Sequence, residues 1–248
     1  MEASATSTPA GGAEPLSGGP VLEFRNVTLV PEAKDHLVMR GVNLRLQRGG
    51  LALVLSEDPH GALTLGDAAE GLIEPDSGTV LFRGEDWATA SPGRAASLRG
   101  RIGRVFDGTG WVSNLDVLEN VTISERHHTR RPVADIVEEA QQLARSFAMG
   151  GVPEGRPAWV ARADLRRAEW VRALLGAPAL LILEQPTAGV SREHAERLVS
   201  AVRGARERGA AVLWTTSEAE VWKHLQFADA DRYAVRGESL VPAGETVA

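Results

Sequence analysis

The chain has 248 residues, enough to bury a sizeable core as one large domain or a domain with a subdomain. No apolar run approaches the roughly 20 residues of a membrane-spanning helix. The lack of cysteine excludes disulfide frameworks, thiolate zinc sites and cysteine nucleophiles, and a net charge of -6 argues against general nucleic-acid binding.

Residues 1–20, rich in Ser, Thr, Gly and Pro, read as a disordered tail without the basic start and apolar block of a secretory signal. From Val21 the pattern alternates (Leu22, Phe24, Val27; then Val38, Val42, Leu44, Leu46), which predicts an antiparallel β layer closed by Gly49-Gly50. Leu51 to Leu55 is a short continuous apolar run, the pattern of a strand buried on both faces of a parallel sheet. A helix is expected from Pro59 to Gly71, then a turn at Glu74 to Gly78 and a strand from Thr79 to Arg83.

The middle of the chain reads as helical. Val133, Ile136, Val137, Ala140, Leu143, Ala144 and Phe147 share one helical face, and a second helix is expected from Asp164, which would cap it. Ala179 to Leu183 predicts another buried strand, Arg192 to Arg208 an amphipathic helix, Ala211 to Thr216 a strand and Glu218 to Phe227 a helix. Two short strands follow around Gly237. Alternating strands and helices imply an α/β fold with a parallel core sheet at 21–86 and 176–248, and a helical subdomain and insertion at 87–175.

Three segments resemble the ATP-binding cassette (ABC) family of transporter ATPases. Gly71 to Gly78 is similar to the stretch after that family's phosphate-binding loop, Arg101 to Val121 to its glutamine-loop region, and Arg172 to Val190 to its second nucleotide strand. The resemblance runs from about Val21 to Val241, and the segment through Pro132 is most like the MlaF type, which energises phospholipid trafficking at Gram-negative inner membranes. It implies a P-loop NTPase-like cassette at the cytoplasmic face of the inner membrane, held peripherally by a permease's coupling helix. It also implies pairing as a homodimer or with another cassette subunit, with ATP and Mg²⁺ as the family's ligands.

The residues at the chemical positions depart from the family pattern. The phosphate loop should read GxxxxGK[ST], in which backbone N–H groups and the lysine hold phosphates and the hydroxyl holds Mg²⁺. Here it runs from Ser56 through Glu57, Asp58, Pro59, His60, Gly61, Ala62 and Leu63 to Thr64, with Ala62 in the lysine position. Only two of the 27 basic residues are lysines, Lys34 and Lys223, so no sequence neighbour replaces it. Asp58-Pro59 is a helix start, which would put the protein's own carboxylate in the anion site of the helix N-terminus. At about 5 Å and an effective dielectric near 20, each added carboxylate opposes each phosphate charge by roughly 3 kcal/mol before screening.

The second nucleotide strand of the family ends in Asp-Glu; here it ends in Glu184-Gln185. Glu184 has the reach for a metal, one methylene further out, or is simply a polar residue at the sheet edge. Neutral Gln185 is no general base. The signature segment aligns with Val160 to Asp164, where Arg162 is a candidate phosphate contact. The glutamine-loop position is Asp107, the switch histidine Ser217, the dimer-loop aspartate Ser191, and the adenine-stacking position falls near Pro31. We therefore expect a pseudo-ATPase: no intact catalytic residues, no tight ATP or Mg²⁺ binding and no metal site. The adjacent His127 and His128 point to different sides. A slow ATPase built on Thr64, Glu184 and Arg162 and a free-standing interaction module are the alternatives. Trp87, Trp159, Trp170, Trp214 and Trp222 are expected in the core. Trp111, with Val112, Asn114 and Leu115, lies in the segment that lines the family's coupling-helix groove and is the expected permease contact.

Overall fold

The structure, a computed structural model, describes residues 18–30, 37–56, 59–108 and 110–243, with residues 59–63 and 224 described by backbone alone. Strands β1 (Leu22–Leu29) and β2 (Met39–Leu46) alternate as predicted, burying Leu22, Phe24, Val27, Met39, Val42 and Leu44. Strand β3 (Leu51–Leu55) leads to helix α1 (Pro59–Ala69), then β4 (Ser77–Phe82), the two-residue β5 (Glu85–Asp86) and helix α2 (Pro92–Arg99). Ser91 caps α2, its hydroxyl accepting from Arg94 N–H ahead of a proline in the first turn. Strand β6 (Ile102–Val105) follows, then helices α3 (Val117–His128), α4 (Val133–Ser146) and α5 (Arg162–Leu174). The chain continues through β7 (Leu180–Glu184), α6 (Arg192–Glu207), β8 (Ala211–Thr216), α7 (Ala219–His224), β9 (Asp231–Arg236) and β10 (Ser239–Pro242).

Two sheets result. An antiparallel layer has the order β2-β1-β4-β5, and a six-stranded sheet the order β10-β9-β3-β8-β7-β6, parallel throughout except for β10. The core sheet is buried on both faces. Ala52, Val54, Ile182 and Leu213 pack with α1 and the antiparallel layer, while Leu51, Leu53, Leu183 and Trp214 pack with α3 to α6. That explains why its strands read as unbroken apolar runs.

Several expectations need correction. Strand β6 lies inside the 87–175 range assigned to the helical subdomain, yet it is an edge strand of the core sheet; glycine and arginine within IGRV hide it from an apolar-run reading. Helix α7 stops at His224 rather than Phe227. Phe227 leaves the helix to bury against Trp214, and Arg232 Nη2 donates to the Leu225 carbonyl in the turn. Val133 is exposed at the start of α4, and Trp159 is 79% exposed, not core. Trp170 and Trp214 are fully buried, and Trp222 is partly buried with Nε1 shared by the Leu53 and Tyr233 carbonyls. Trp87 stacks on Phe82.

Candidate functional site

The candidate residues gather at the C-terminal edge of the core sheet, where β3, β7 and β8 end side by side. Ser56, just beyond β3, is buried, and its N–H donates to the Thr216 carbonyl at 2.9 Å. Gly61, Ala62 and Leu63 lie in the first turns of α1, and Thr64 on the same helix is buried. Asp58 and its proposed capping role, Glu57 and Pro31 lie outside the described residues.

Glu184 closes β7 with 1% of its side chain exposed, and it is paired. Arg104, on the neighbouring strand β6, donates from Nη2 to Glu184 Oε1 at 2.8 Å and from Nε to Oε2 at 3.3 Å. Its Nη1 reaches Asp67 on α1 at 2.8 Å and Glu70, in the turn just past the end of α1, at 2.9 Å. One buried guanidinium therefore ties the sheet edge to the helix that follows the phosphate-loop segment. The approach is possible because Gly66 has no side chain: a Cβ there would sit 2.2 Å from Glu184 Oε1.

The electrostatics follow from that packing. Burial pushes the Glu184 carboxyl up to about 7, against the attraction of Arg104 and aided by Asp67. Burial also works against the Arg104 cation, but the surrounding carboxylates outweigh it and hold its pKa above the ordinary value. Glu184 Oε2 also accepts the Asp107 N–H at 3.3 Å. These donors do not fit a magnesium ion. Both Glu184 oxygens already face N–H groups, and a divalent cation there would have to displace Arg104, leaving a guanidinium and a metal to repel each other.

Gln185 is also buried and holds a left-handed backbone conformation at φ 45°. Its Oε1 accepts the Ser217 N–H at 3.0 Å, and its Nε2 is buried without a partner among the described residues. The switch position thus meets the second-carboxylate position through a backbone donor, with no titrating group in the contact. An amide in that place holds two loops together and takes no proton.

The signature segment does not join this cluster. Helix α5 begins at Arg162, not at Asp164, and no side chain caps it; Asp164 sits inside the first turn and accepts from Arg167. Arg162 is exposed. Ser191 caps α6 instead, accepting the His194 N–H. His127 and His128 contact each other edge to face at the end of α3.

The segment expected to meet a permease is held from two sides. Asn120 on α3 is buried: its Oδ1 accepts the Val112 N–H at 2.8 Å, while Nδ2 donates to the Val112, Leu115 and Asp116 carbonyls. From α5, Arg166 Nη1 donates to the Phe106 carbonyl and to Glu169, and Arg172 donates to the Gly110 carbonyl. Burial raises the Glu169 pKa and lowers that of Arg172, each opposed by the other's charge. Trp111 is partly buried on the core, with the Arg172 guanidinium 4.9 Å from its ring centroid. Of the expected contact residues, Val112 and Asn114 are exposed and Leu115 is half-buried.

Sequence reading missed Arg104, Gly66, Asn120 and the Arg166–Glu169–Arg172 row. Only Arg104 left a signal, as a lone charge between Ile102-Gly103 and Val105-Phe106; the others needed the neighbouring elements in place.

Residues 39–188 match the family model described as ABC transporter. The phosphonates import ATP-binding protein PhnC 1 of Ruegeria sp. (strain TM1040) is 29% identical over 190 residues, 74% of this chain and 74% of that protein. The intermembrane phospholipid transport system ATP-binding protein MlaF of Haemophilus influenzae is 24% identical over 169 residues, 68% of this chain and 63% of MlaF. Among solved structures, the dimeric structure of MJ0796, a bacterial ABC transporter cassette, has the same fold, with a TM-score of 0.76 at 17% identity over 88% of this chain and 96% of that one.

Proposed function

The chain belongs to the ABC transporter family, and from that premise we propose that it is a cassette subunit that does not hydrolyse ATP and serves as a structural or regulatory partner of a membrane permease. The observation that carries the reading is the buried Arg104–Glu184 pair. Phosphoryl transfer in this fold class draws on a lysine for the phosphates, a carboxylate that supports Mg²⁺ and a group that orients or activates water. Here Ala62 stands at the first position, Glu184 is occupied by an internal cation at the second, and Gln185 is an amide bonded to the Ser217 backbone at the third. The Glu184 carboxylate is thus held by a cation of the chain's own, Arg104, which supports the reading.

Attachment at a membrane rests on family membership. None of the described helices is long and apolar enough to cross a bilayer, and the permease's coupling helix would meet the segment from Trp111 to Leu115. A lipid-transport assembly is supported by the MlaF relative and by the MlaF-like segment from Arg101 to Pro132. Pairing with itself or with a second cassette is the expected state, as in the dimeric cassette of the same fold.

The test is calorimetry with Mg-ATP together with phosphate release by the purified chain. The expected result is no binding below millimolar concentration and no turnover. A micromolar dissociation constant that Gly61→Asp abolishes would overturn the reading.

A further inference from the structure

Three helices meet at Arg167. Its side chain is largely buried on α5, and Nη2 donates to Asp164 in the first turn of the same helix. Nη1 donates to the Phe147 and Ala148 carbonyls at 3.2 and 3.0 Å, orphan acceptors at the C-terminal end of α4. The same nitrogen lies 3.2 Å from His194 Nε2 on α6. The other ring nitrogen, Nδ1, is 2.9 Å from Ser191 Oγ, the hydroxyl that caps α6.

These contacts fix where the imidazole carries its proton. A guanidinium has only donors and is always charged, so His194 Nε2 accepts and has no hydrogen. The proton of the neutral ring then sits on Nδ1 and is donated to Ser191 Oγ, whose second lone pair takes the His194 N–H at 3.4 Å. The charged groups around the ring have partners of their own. Asp164 on α5 is bound to Arg167, the end of α4 presents carbonyls, and along α6 Arg192 pairs with Glu196 and Arg197 with Glu193.

We propose that the Arg167–His194 contact is a pH-sensitive latch between α5 and α6, closed while the imidazole is neutral and opened when it takes a second proton. Protonation sets an N–H on Nε2 against an N–H of Arg167, donor facing donor and cation facing cation. It also puts positive charge in the first turn of α6, the positive end of that helix. Arg167 keeps Asp164 and the two α4 carbonyls, so the imidazole is the group that leaves. The latch is therefore shut at higher pH and opens as pH falls through the range in which histidines gain charge, roughly pH 8 to 5. The latch rests on this joint alone. On the cassette reading it has a further consequence, because the family resemblance aligns Val160 to Asp164 with the signature segment and Ser191 with the dimer loop: the two segments are coupled at higher pH and released from each other at lower pH.

The test begins with long-range 1H–15N NMR of the full chain, the His194 signals being identified by their loss in His194→Gln. At pH 8 the expected spectrum is that of the Nδ1–H tautomer, the reverse of the Nε2–H form that an unconstrained imidazole favours. Hydrogen exchange read by mass spectrometry then follows the first turns of α6 at pH 8 and pH 5.5, corrected for intrinsic rates. Wild type should exchange at least about fivefold faster at the lower pH, as a locally opened helix end does. His194→Gln, whose amide oxygen accepts from Arg167 at either pH, should not change. Glu184 titrates in the same window, so the response is taken as the difference between the two proteins. His194→Arg, a permanent cation, should exchange fast already at pH 8. An Nε2–H tautomer at pH 8, or an equal pH response in wild type and His194→Gln, would overturn the latch. Either result leaves the cassette reading in place, which nucleotide calorimetry tests separately.

Discussion

Arg104 and Glu184 form the most deeply buried ion pair among the described residues, with side chains 3% and 1% exposed and 2.8 Å between Nη2 and Oε1. The pair joins the edge strand β6 to the end of β7, and through Asp67 and Glu70 it also fixes α1 to the sheet. The pair sits at the end of β7, the position that the family resemblance aligns with a magnesium-supporting carboxylate, and under the proposed function it is what opposes nucleotide chemistry there.

Removing one partner of a buried pair strands the other. Arg104→Met should cost about 3–5 kcal/mol in urea unfolding, because Glu184, Glu70 and Asp67 lose their shared cation. Arg104→Met combined with Glu184→Leu should recover only the part of that loss that comes from stranding Glu184, since an apolar pair replaces the ionic one while Asp67 and Glu70 still lack their cation. Additive losses in the double variant would show that the two residues are not coupled.

Gly66→Ala tests the same contact from the helix side. Its Cβ would lie 2.2 Å from Glu184 Oε1 and 3.0 Å from Arg104 Nη2, neither of which is free to move. A loss of about 1–3 kcal/mol is expected, as for overpacking. In a Glu184→Ala background the same alanine should cost much less, which a chemical-denaturation cycle can read.

The pH dependence has a definite sign. The Glu184 carboxyl, raised by burial from 4.5 to about 7, contributes stability that is full below pH 4.5 and lost as pH rises through about 7. Glu184→Gln cannot ionise, so its melting temperature relative to wild type should rise between about pH 5 and pH 7 and level off above that. A flat difference across that window would mean that Glu184 titrates at an ordinary value.

Restoring the lysine should not restore turnover. Ala62→Lys returns an ammonium group, but Arg104 still holds Glu184, and Gln185 still offers an amide; groups that act as a catalytic unit are strongly non-additive. Phosphate release above background in the single variant would contradict this.

Two tryptophans should separate packing from exposure. Trp111→Ala removes a ring packed on the core under Arg172 and should lower the melting temperature by several degrees. Trp159→Ala, at a ring 79% exposed, should change stability by less than about 0.5 kcal/mol. Equal effects in a thermal melt would argue against the placement of one of them.

The sequence alone determined the α/β order, the buried strands at Leu51 to Leu55 and, one residue off its observed bounds, at Ala179 to Leu183, and the residue types at each family position, including the alanine in place of a lysine. These are local: an apolar run or a motif residue carries its meaning in its own neighbours. Tertiary structure decided that Glu184 meets Arg104 from 80 residues away, that Gly66 makes room for it, and that Gln185 closes on the Ser217 backbone. It also turned Asp164 from an expected cap into an ordinary first-turn residue, and Trp159 from core to surface. The reason is physical. The charge state and accessibility of a polar side chain depend on which groups share its desolvated space, and those groups come from strands and helices that only the folded sheet brings together.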